Sequence, residues 1–314
     1  MKRLLVVLVA VAVMVVSVSV SAFGASKEKV MIGIAFSTLE SEFWQSLLHT
    51  TEDTAHKLGA ETTAVDAANN ITKQMAQLED LIAKKVDAIV LNAVDSEAVV
   101  PIVNKAAQQG ISVVTIDRAI SPKATVACYV GTDNTLAGRM AATYIAEKLG
   151  GKGNVVILNG PPQTMVARLR NAGFMEGLKE YPKIKILTQK WGSSDRAVNM
   201  TNMEDILTRF PKVDAVLTFS DFNALGASDA IIARGKQKGI IIGSIDGLKE
   251  TAQLMKAGKT PIVVTVAQDP AMMARYAARV AYEAATGERV PIAVSTWIAD
   301  ITPQNASEYL ESFK

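Results

Sequence analysis

Short apolar, β-branched runs alternate along this chain with longer stretches in which apolar residues recur every third or fourth position. That alternation predicts strands separated by helices. Val30 to Phe36 is the first expected strand. Phe43 to Leu58 follows as a helix, with Trp44, Leu47, Leu48, Thr51, Ala55 and Leu58 on one face and Gly59 ending it. Thr62 to Asp66 predicts a strand, Ile71 to Lys85 a helix, Ala88 to Leu91 a strand, and Glu97 to Gln109 a helix with Ser96 as N-cap. Gly110 ends that helix. The next run, Ile111 to Ile116, suits a strand buried on both faces and stops at Asp117 and Arg118; Val126 to Val130 predicts another strand.

The scheme then repeats. Helices are expected at Asn134 to Leu149, Met165 to Glu180, Arg196 to Arg209, Phe222 to Arg234 and Gly247 to Ala257. Strands are expected at Asn154 to Leu158, Ile184 to Thr188, Ala215 to Phe219, Ile240 to Ile245 and Ile262 to Ala267. Asp269-Pro270 opens a last long helix as N-cap and first helical residue. The halves also echo in letters: Val86-Asp87-Ala88-Ile89-Val90 matches Val213-Asp214-Ala215-Val216-Leu217, and Ile116-Asp117 matches Ile245-Asp246. Alternating strands and helices, repeated over two halves of 314 residues, predict two similar doubly wound α/β domains.

In such sheets ligands bind beyond the carboxyl ends of the strands. Nearly every one of those ends carries polar groups: Ser37 to Trp44, Asn92 to Asp95, Asp117-Arg118, Asn159 to Gln163, Ser220-Asp221, Asp246 and Gln268. Two facing crevices of this kind make a cleft suited to a hydroxyl-rich ligand, because every buried hydroxyl both donates and accepts. Phe43 precedes the apolar face of its helix and is expected to contact ligand; Trp44 shares that face, which favours packing.

Composition narrows the classes. Met1 to Gly24 has the form of a secretory signal, with Lys2 and Arg3, an apolar run from Leu4 to Val16 and a small-residue site at Ala22-Phe23-Gly24. Its removal leaves 31 basic residues against 31 acidic, which gives no net pull on nucleic acid or anionic lipid. The single cysteine, Cys128, excludes an internal disulfide and is expected to be a core thiol. No G-x-G-x-x-G follows the first strand, and neither a phosphate-binding loop nor a nucleophile elbow occurs. His49, Glu52, Asp53 and His56 fall mainly on the polar face of one helix, as a solvated surface does, so no metal or cofactor is expected. An enzyme using Asp117 and Asp246 for acid–base work lacks a recognisable nucleophile. A transcription regulator would need a DNA-binding segment where this chain carries an export signal.

The segments Ser37-Thr38-Leu39 with Phe43-Trp44, Asn92 to Ser96, Thr115 to Arg118, Thr132-Asp133-Asn134, Ala167-Arg168, Asp221 with Ala224 to Ala227, Ile245-Asp246-Gly247 and Val266-Ala267-Gln268 stand in an order that resembles the ribose-binding-protein type of periplasmic sugar-binding proteins, from about Val30 to about Glu311. The resemblance implies a type I bilobed clamp with three crossing strands near Gly131-Thr132, Ala267-Gln268 and Thr296-Trp297. It places one lobe at 25–131 plus 268–296 and the other at 132–267 plus 297–314, after a signal at 1–24. It carries ligand contacts to Phe43, Asn92, Asp117, Arg118, Arg168, Asp246 and Gln268, and makes Trp44 a second site aromatic. Three positions depart: Ser41 and Ser220 stand where asparagine is common, and Ser194 where the second lobe has a stacking aromatic, with Trp191 nearby as a replacement. The implied protein is a periplasmic, monomeric receptor. It would bind a pentose, a hexose or a sugar alcohol and deliver it to an ABC permease. A role in signalling to a chemoreceptor or sensor stays open beside transport.

Overall fold

The computed structural model describes residues 29–193 and 195–313; the expected signal and Ser194 lie outside them. The first half runs β1 (Met31–Phe36), α1 (Glu42–Lys57), β2 (Glu61–Asp66), α2 (Ile71–Ala83), β3 (Ala88–Leu91), α3 (Val100–Gln108), β4 (Ser112–Ile116) and β5 (Cys128–Gly131). The second runs α4 (Asn134–Lys148), β6 (Lys152–Leu158), α5 (Met165–Lys179), β7 (Lys183–Lys190), α6 (Arg196–Arg209), β8 (Ala215–Thr218), α7 (Asp221–Ala233), β9 (Ile241–Asp246), α8 (Lys249–Lys256) and β10 (Ile262–Gln268). The chain closes with α9 (Pro270–Ala285), β11 (Ala293–Ser295), β12 (Ile298–Ile301) and α10 (Ala306–Glu311).

Among the described residues two six-stranded sheets form, in the orders β11-β5-β4-β3-β1-β2 and β12-β10-β9-β8-β6-β7. All pairings are parallel except that of β12 with β10. The inner strands β3 and β8 are buried at every residue, as parallel strands covered by helices on both faces must be. The two sheets mirror each other, and the sequence echo has a structural reason. Asp87 accepts the backbone N–H of Met31 at 2.8 Å, and Asp214 accepts that of Asn154 at 2.8 Å, so each aspartate secures the first strand of its own sheet.

The chain crosses between the sheets after β5, after β10 and between β11 and β12. Because of the second crossing, α9 packs back on α1 and β4 in the core of the first sheet. Thr132 on the first crossing donates to Gln268 on the second at 2.6 Å, and Thr296 on the third bonds Gly131 O at 2.9 Å.

Two expectations need correction. The helix after β3 begins at Val100, not Glu97, because Pro101 is tolerated only in a first turn. Ser96 does not cap it; Asp95 accepts the N–H groups of Glu97 and Ala98, at 2.8 and 2.9 Å. In the second lobe α4 and α5 cross at close range. A Cβ on Gly138 would lie 2.2 Å from Arg170 O, and one on Gly173 would lie 2.1 Å from Thr135 O. Their glycines let the two backbones touch, and that contact fixes the phase of α5.

His49 faces Glu52 at 3.9 Å, and His56 bonds the Thr62 hydroxyl at 2.9 Å. Among the described residues no helix is long and apolar enough to cross a membrane. Cys128 is fully buried, and burial pushes its thiol up to about 11. It is therefore expected to resist a thiol reagent at pH 8 until the protein is unfolded; fast native labelling would show an accessible thiolate.

Candidate functional site

Most residues aimed into the cleft sit where a strand ends or a helix begins; Arg170, in the second turn of its helix, is an exception. A cavity of about 650 Å³ is lined from the first sheet by the β1–α1 loop and the residues after β4, and from the second by α5, the residues after β8 and β9, and Gln268. This is the switch-point crevice of two doubly wound sheets placed face to face.

In the first lobe Asp117 is 7% exposed and holds φ 62°, in the left-handed region. Asn92 donates to its carboxylate at 3.3 Å and to Ile116 O at 3.0 Å, while Ser37 donates to Asn92 at 2.6 Å. Buried Gln74 ties down the following loop through Asn92 O and the Val94 N–H, at 2.9 and 2.8 Å. Arg118 donates to Ala93 O at 3.0 Å and lies over the Trp44 ring, 5.1 Å from its centroid. Trp44 meets Phe43 edge to face at 4.8 Å. Burial raises the Asp117 carboxyl above its ordinary range against the pull of Arg118 and Arg170, and burial lowers Arg118.

The second lobe repeats the device. Asp246 has φ 135°, a conformation that non-glycine residues rarely hold. Its carboxylate accepts from Gln268 at 2.8 Å, Arg170 at 3.1 Å and the Asp221 N–H at 3.3 Å. Arg170 also donates to Asn134 at 2.8 Å and to Phe219 O at 2.8 Å, and its guanidinium lies 4.9 Å over the Phe219 ring. Each lobe thus presents an aspartate in an unusual backbone conformation and an arginine seated on an aromatic face. Burial pushes the Asp246 carboxyl up to about 7, Arg170 opposes that shift, and the charges of Asp221 and Asp117 add to it.

Comparison with known proteins gives the family. The family model described as the periplasmic binding protein domain matches residues 32–289. The chain belongs to the periplasmic binding protein family. It is 36% identical over 270 residues to the ribose import binding protein of Bacillus subtilis, which covers 86% of each chain. An ABC transporter solute binding protein from Bacillus halodurans, solved with bound myo-inositol, superposes with TM-score 0.85 at 31% identity and covers 92% of this chain and 99% of that one. One from Actinobacillus succinogenes, with bound D-allose, gives TM-score 0.83 at 27% identity over 90% of this chain and all of the other. Like these relatives, the chain is a transport binding protein and not an enzyme.

Within the family's cleft the structure gathers Ser41, Phe43, Trp44, Asp117, Arg118, Ser220, Asp246 and Gln268 around one cavity. Ser41 Oγ is buried there without a protein partner, whereas Ser220 Oγ donates to Asn223 at 2.8 Å. Asn92 stands behind Asp117 and supports it. Arg168 is corrected: it does not line the cavity, and Arg170 does. Two helical residues turn the side chain by roughly 200°, so only one of the pair faces the cleft. Trp191 is also corrected. It is 40% exposed away from the cavity, and the second lobe's aromatic wall is Phe219 and Phe222. Asp221 turns inward, where its carboxylate accepts from Thr265 and from the Leu248 N–H, both at 2.7 Å, and so holds the turn that carries Asp246.

Proposed function

We propose that the cleft binds one neutral, polyhydroxylated molecule, a monosaccharide or sugar alcohol, and that the two lobes close over it. The observation that carries this is the balanced quartet Asp117, Arg118, Arg170 and Asp246, two acids and two bases contributed equally by the lobes. Such a set offers acceptors and donors in the pattern that adjacent hydroxyls need, and the formal charges of its four members cancel. Phe43, Trp44, Phe219 and Phe222 supply flat surfaces for the C–H faces of the ring. The chain is the sugar-binding component of an ABC-type importer and works outside the cytoplasm, as its relatives do. It is a monomer whose signal is removed after Gly24, and its lobes swing about the crossings at Gly131-Thr132, Gln268 and Thr296-Trp297. Phe222 takes the stacking role at the second lobe, and the free Ser41 hydroxyl meets a ligand oxygen.

A thermal-shift screen of D-ribose, D-xylose, D-allose, xylitol and myo-inositol tests this. A binder at a hundred times its Kd adds roughly 2.7 kcal/mol, or about 5 °C or more. Stabilisation only by anionic sugars, or conversion of a sugar to product, would overturn the proposal.

Affinity should also depend on pH. Ionised Asp246 accepts ligand hydroxyls more strongly than the neutral acid does, yet in the free cleft burial pushes its carboxyl up to about 7. Binding therefore releases a proton below that pH. Kd is expected to rise roughly tenfold per pH unit below about 7 and to level off above it. Titration calorimetry in buffers of different ionisation enthalpy reads the proton; a flat profile from pH 5.5 to 8 would contradict it. Without ligand the sign reverses: the folded state holds the extra proton, so this group's contribution to stability falls as pH rises from about 4 to 7.

A further inference from the structure

Apart from the crossings, the two lobes also touch in a place that does not line the cavity. Ser96, in the turn after β3, faces the loop that leads into α5. Its N–H reaches Gln163 O at 3.2 Å, and its hydroxyl donates to the same carbonyl at 2.9 Å. Arg168 donates through Nη2 to Ser96 Oγ at 2.7 Å and through Nη1 to Pro162 O at 2.8 Å, with Glu97 4.0 Å from Nη2. Ser96 is 2% exposed, while the Arg168 side chain that reaches it is 37% exposed. Both sides are braced. The Ser121 N–H bonds Ser96 O at 2.9 Å, Asp95 caps the turn, and the opposing carbonyls belong to the Pro161-Pro162-Gln163 segment. None of Ser96, Glu97, Gln163 and Arg168 lines the cavity.

Opening the lobes must break the bonds that Ser96 makes to Gln163 and Arg168, and all of these join protein groups to one another. We propose that Arg168, Ser96 and Gln163 form a latch that determines affinity without touching the ligand, by setting how much of the free protein is closed. The ligand part of this rests on the sugar-binding role above; the closure part does not. Apparent affinity scales with the fraction of protein in the binding-competent state. Losing the latch therefore weakens every sugar by the same factor, chiefly through faster dissociation. A residue that contacted the sugar would instead change the ranking of sugars.

Single-molecule energy transfer, with one dye on an introduced exposed cysteine in each lobe, reads the closed state in the absence of sugar. The native thiol is buried and leaves the labelling clean. Arg168→Ala is expected to cut the closed population about tenfold, the scale of one hydrogen bond to a charged group. Ser96→Ala should act in the same direction, and the double variant should lose little more than Ser96→Ala alone, because the hydrogen bond of Arg168 to the other lobe is made to the Ser96 hydroxyl. Should Arg168→Ala fold poorly in urea unfolding, Ser96→Ala tests the contact from the other lobe. Equal closed populations in wild type and both variants, or no closed state in the wild type, would overturn the latch. With those of D-ribose, D-xylose and myo-inositol that bind, the variants should raise dissociation rates by a common factor and leave the affinity ratios unchanged; unequal losses would overturn it. If none of the three binds, the sugar-binding proposal fails while the sugar-free measurement still decides the latch.

Discussion

Asp117→Ala is expected to weaken sugar binding tenfold to a hundredfold and to leave the folding free energy nearly unchanged. A hydrogen bond to a charged group contributes about 1.5–3 kcal/mol, and each 1.4 kcal/mol is a factor of ten. The fold depends little on this carboxylate. Burial already opposes its ionisation, and Arg118 is anchored on Ala93 O and the Trp44 face. Asp246→Ala should lose binding to a similar degree but also lower stability, by on the order of 3 kcal/mol, because it strips Arg170 of its ion pair. The Arg170 side chain is only 3% exposed and cannot turn to water instead. The two sites look equivalent in sequence and differ here, since only the second aspartate is bonded to its arginine. Titration calorimetry beside urea unfolding of each variant separates the effects. Normal binding by both would show that the ligand sits elsewhere.

Gly173→Ala is expected to destabilise the fold by forcing two helix backbones apart. The added Cβ would stand 2.1 Å from Thr135 O and 2.8 Å from Arg139 N, both backbone atoms of α4 or its first turn. Neither can yield as a side chain does, so α5 must move away from α4. Overpacking of this kind costs about 3 kcal/mol or more, against a gain in helix propensity of about 1 kcal/mol. Arg170 lies almost one turn earlier on α5 and would leave Asp246, so binding should fail in parallel. Urea unfolding and the sugar titration test the two consequences together; an unchanged midpoint with unchanged Kd would mean that the helices do not approach this closely.

The central strands are legible along the chain because buried parallel strands must be apolar and end abruptly in polar residues. Asp117 and Asp246 could be found from those ends alone, and so could Gln268. The arginine of the second lobe could not. Arg168 and Arg170 lie two residues apart in one helix, and which of them faces the cleft depends on the rotation of α5, set by its contact with α4 through Gly138 and Gly173. Periodicity within α5 carries no such information. Phe219 was counted with its strand, and only the short end of β8 at Thr218 turns it toward Arg170. Three elements, β11, β12 and α10, were missed because they are too short for any period to register and owe their existence to pairing with distant strands or packing on α8. Ser96 drew attention as a helix cap, a local role, when its partners are 67 and 72 residues away.

One sugar or polyol is expected to be held between the lobes by the two aspartate–arginine sets. A crystal structure with the tightest binder from the screen tests it most directly. A single ring should lie between the sheets, with hydroxyls within hydrogen-bonding distance of both Asp117 and Asp246 and its faces against Phe43 and Phe222. A ring bound to one lobe alone, or outside this cleft, would contradict it.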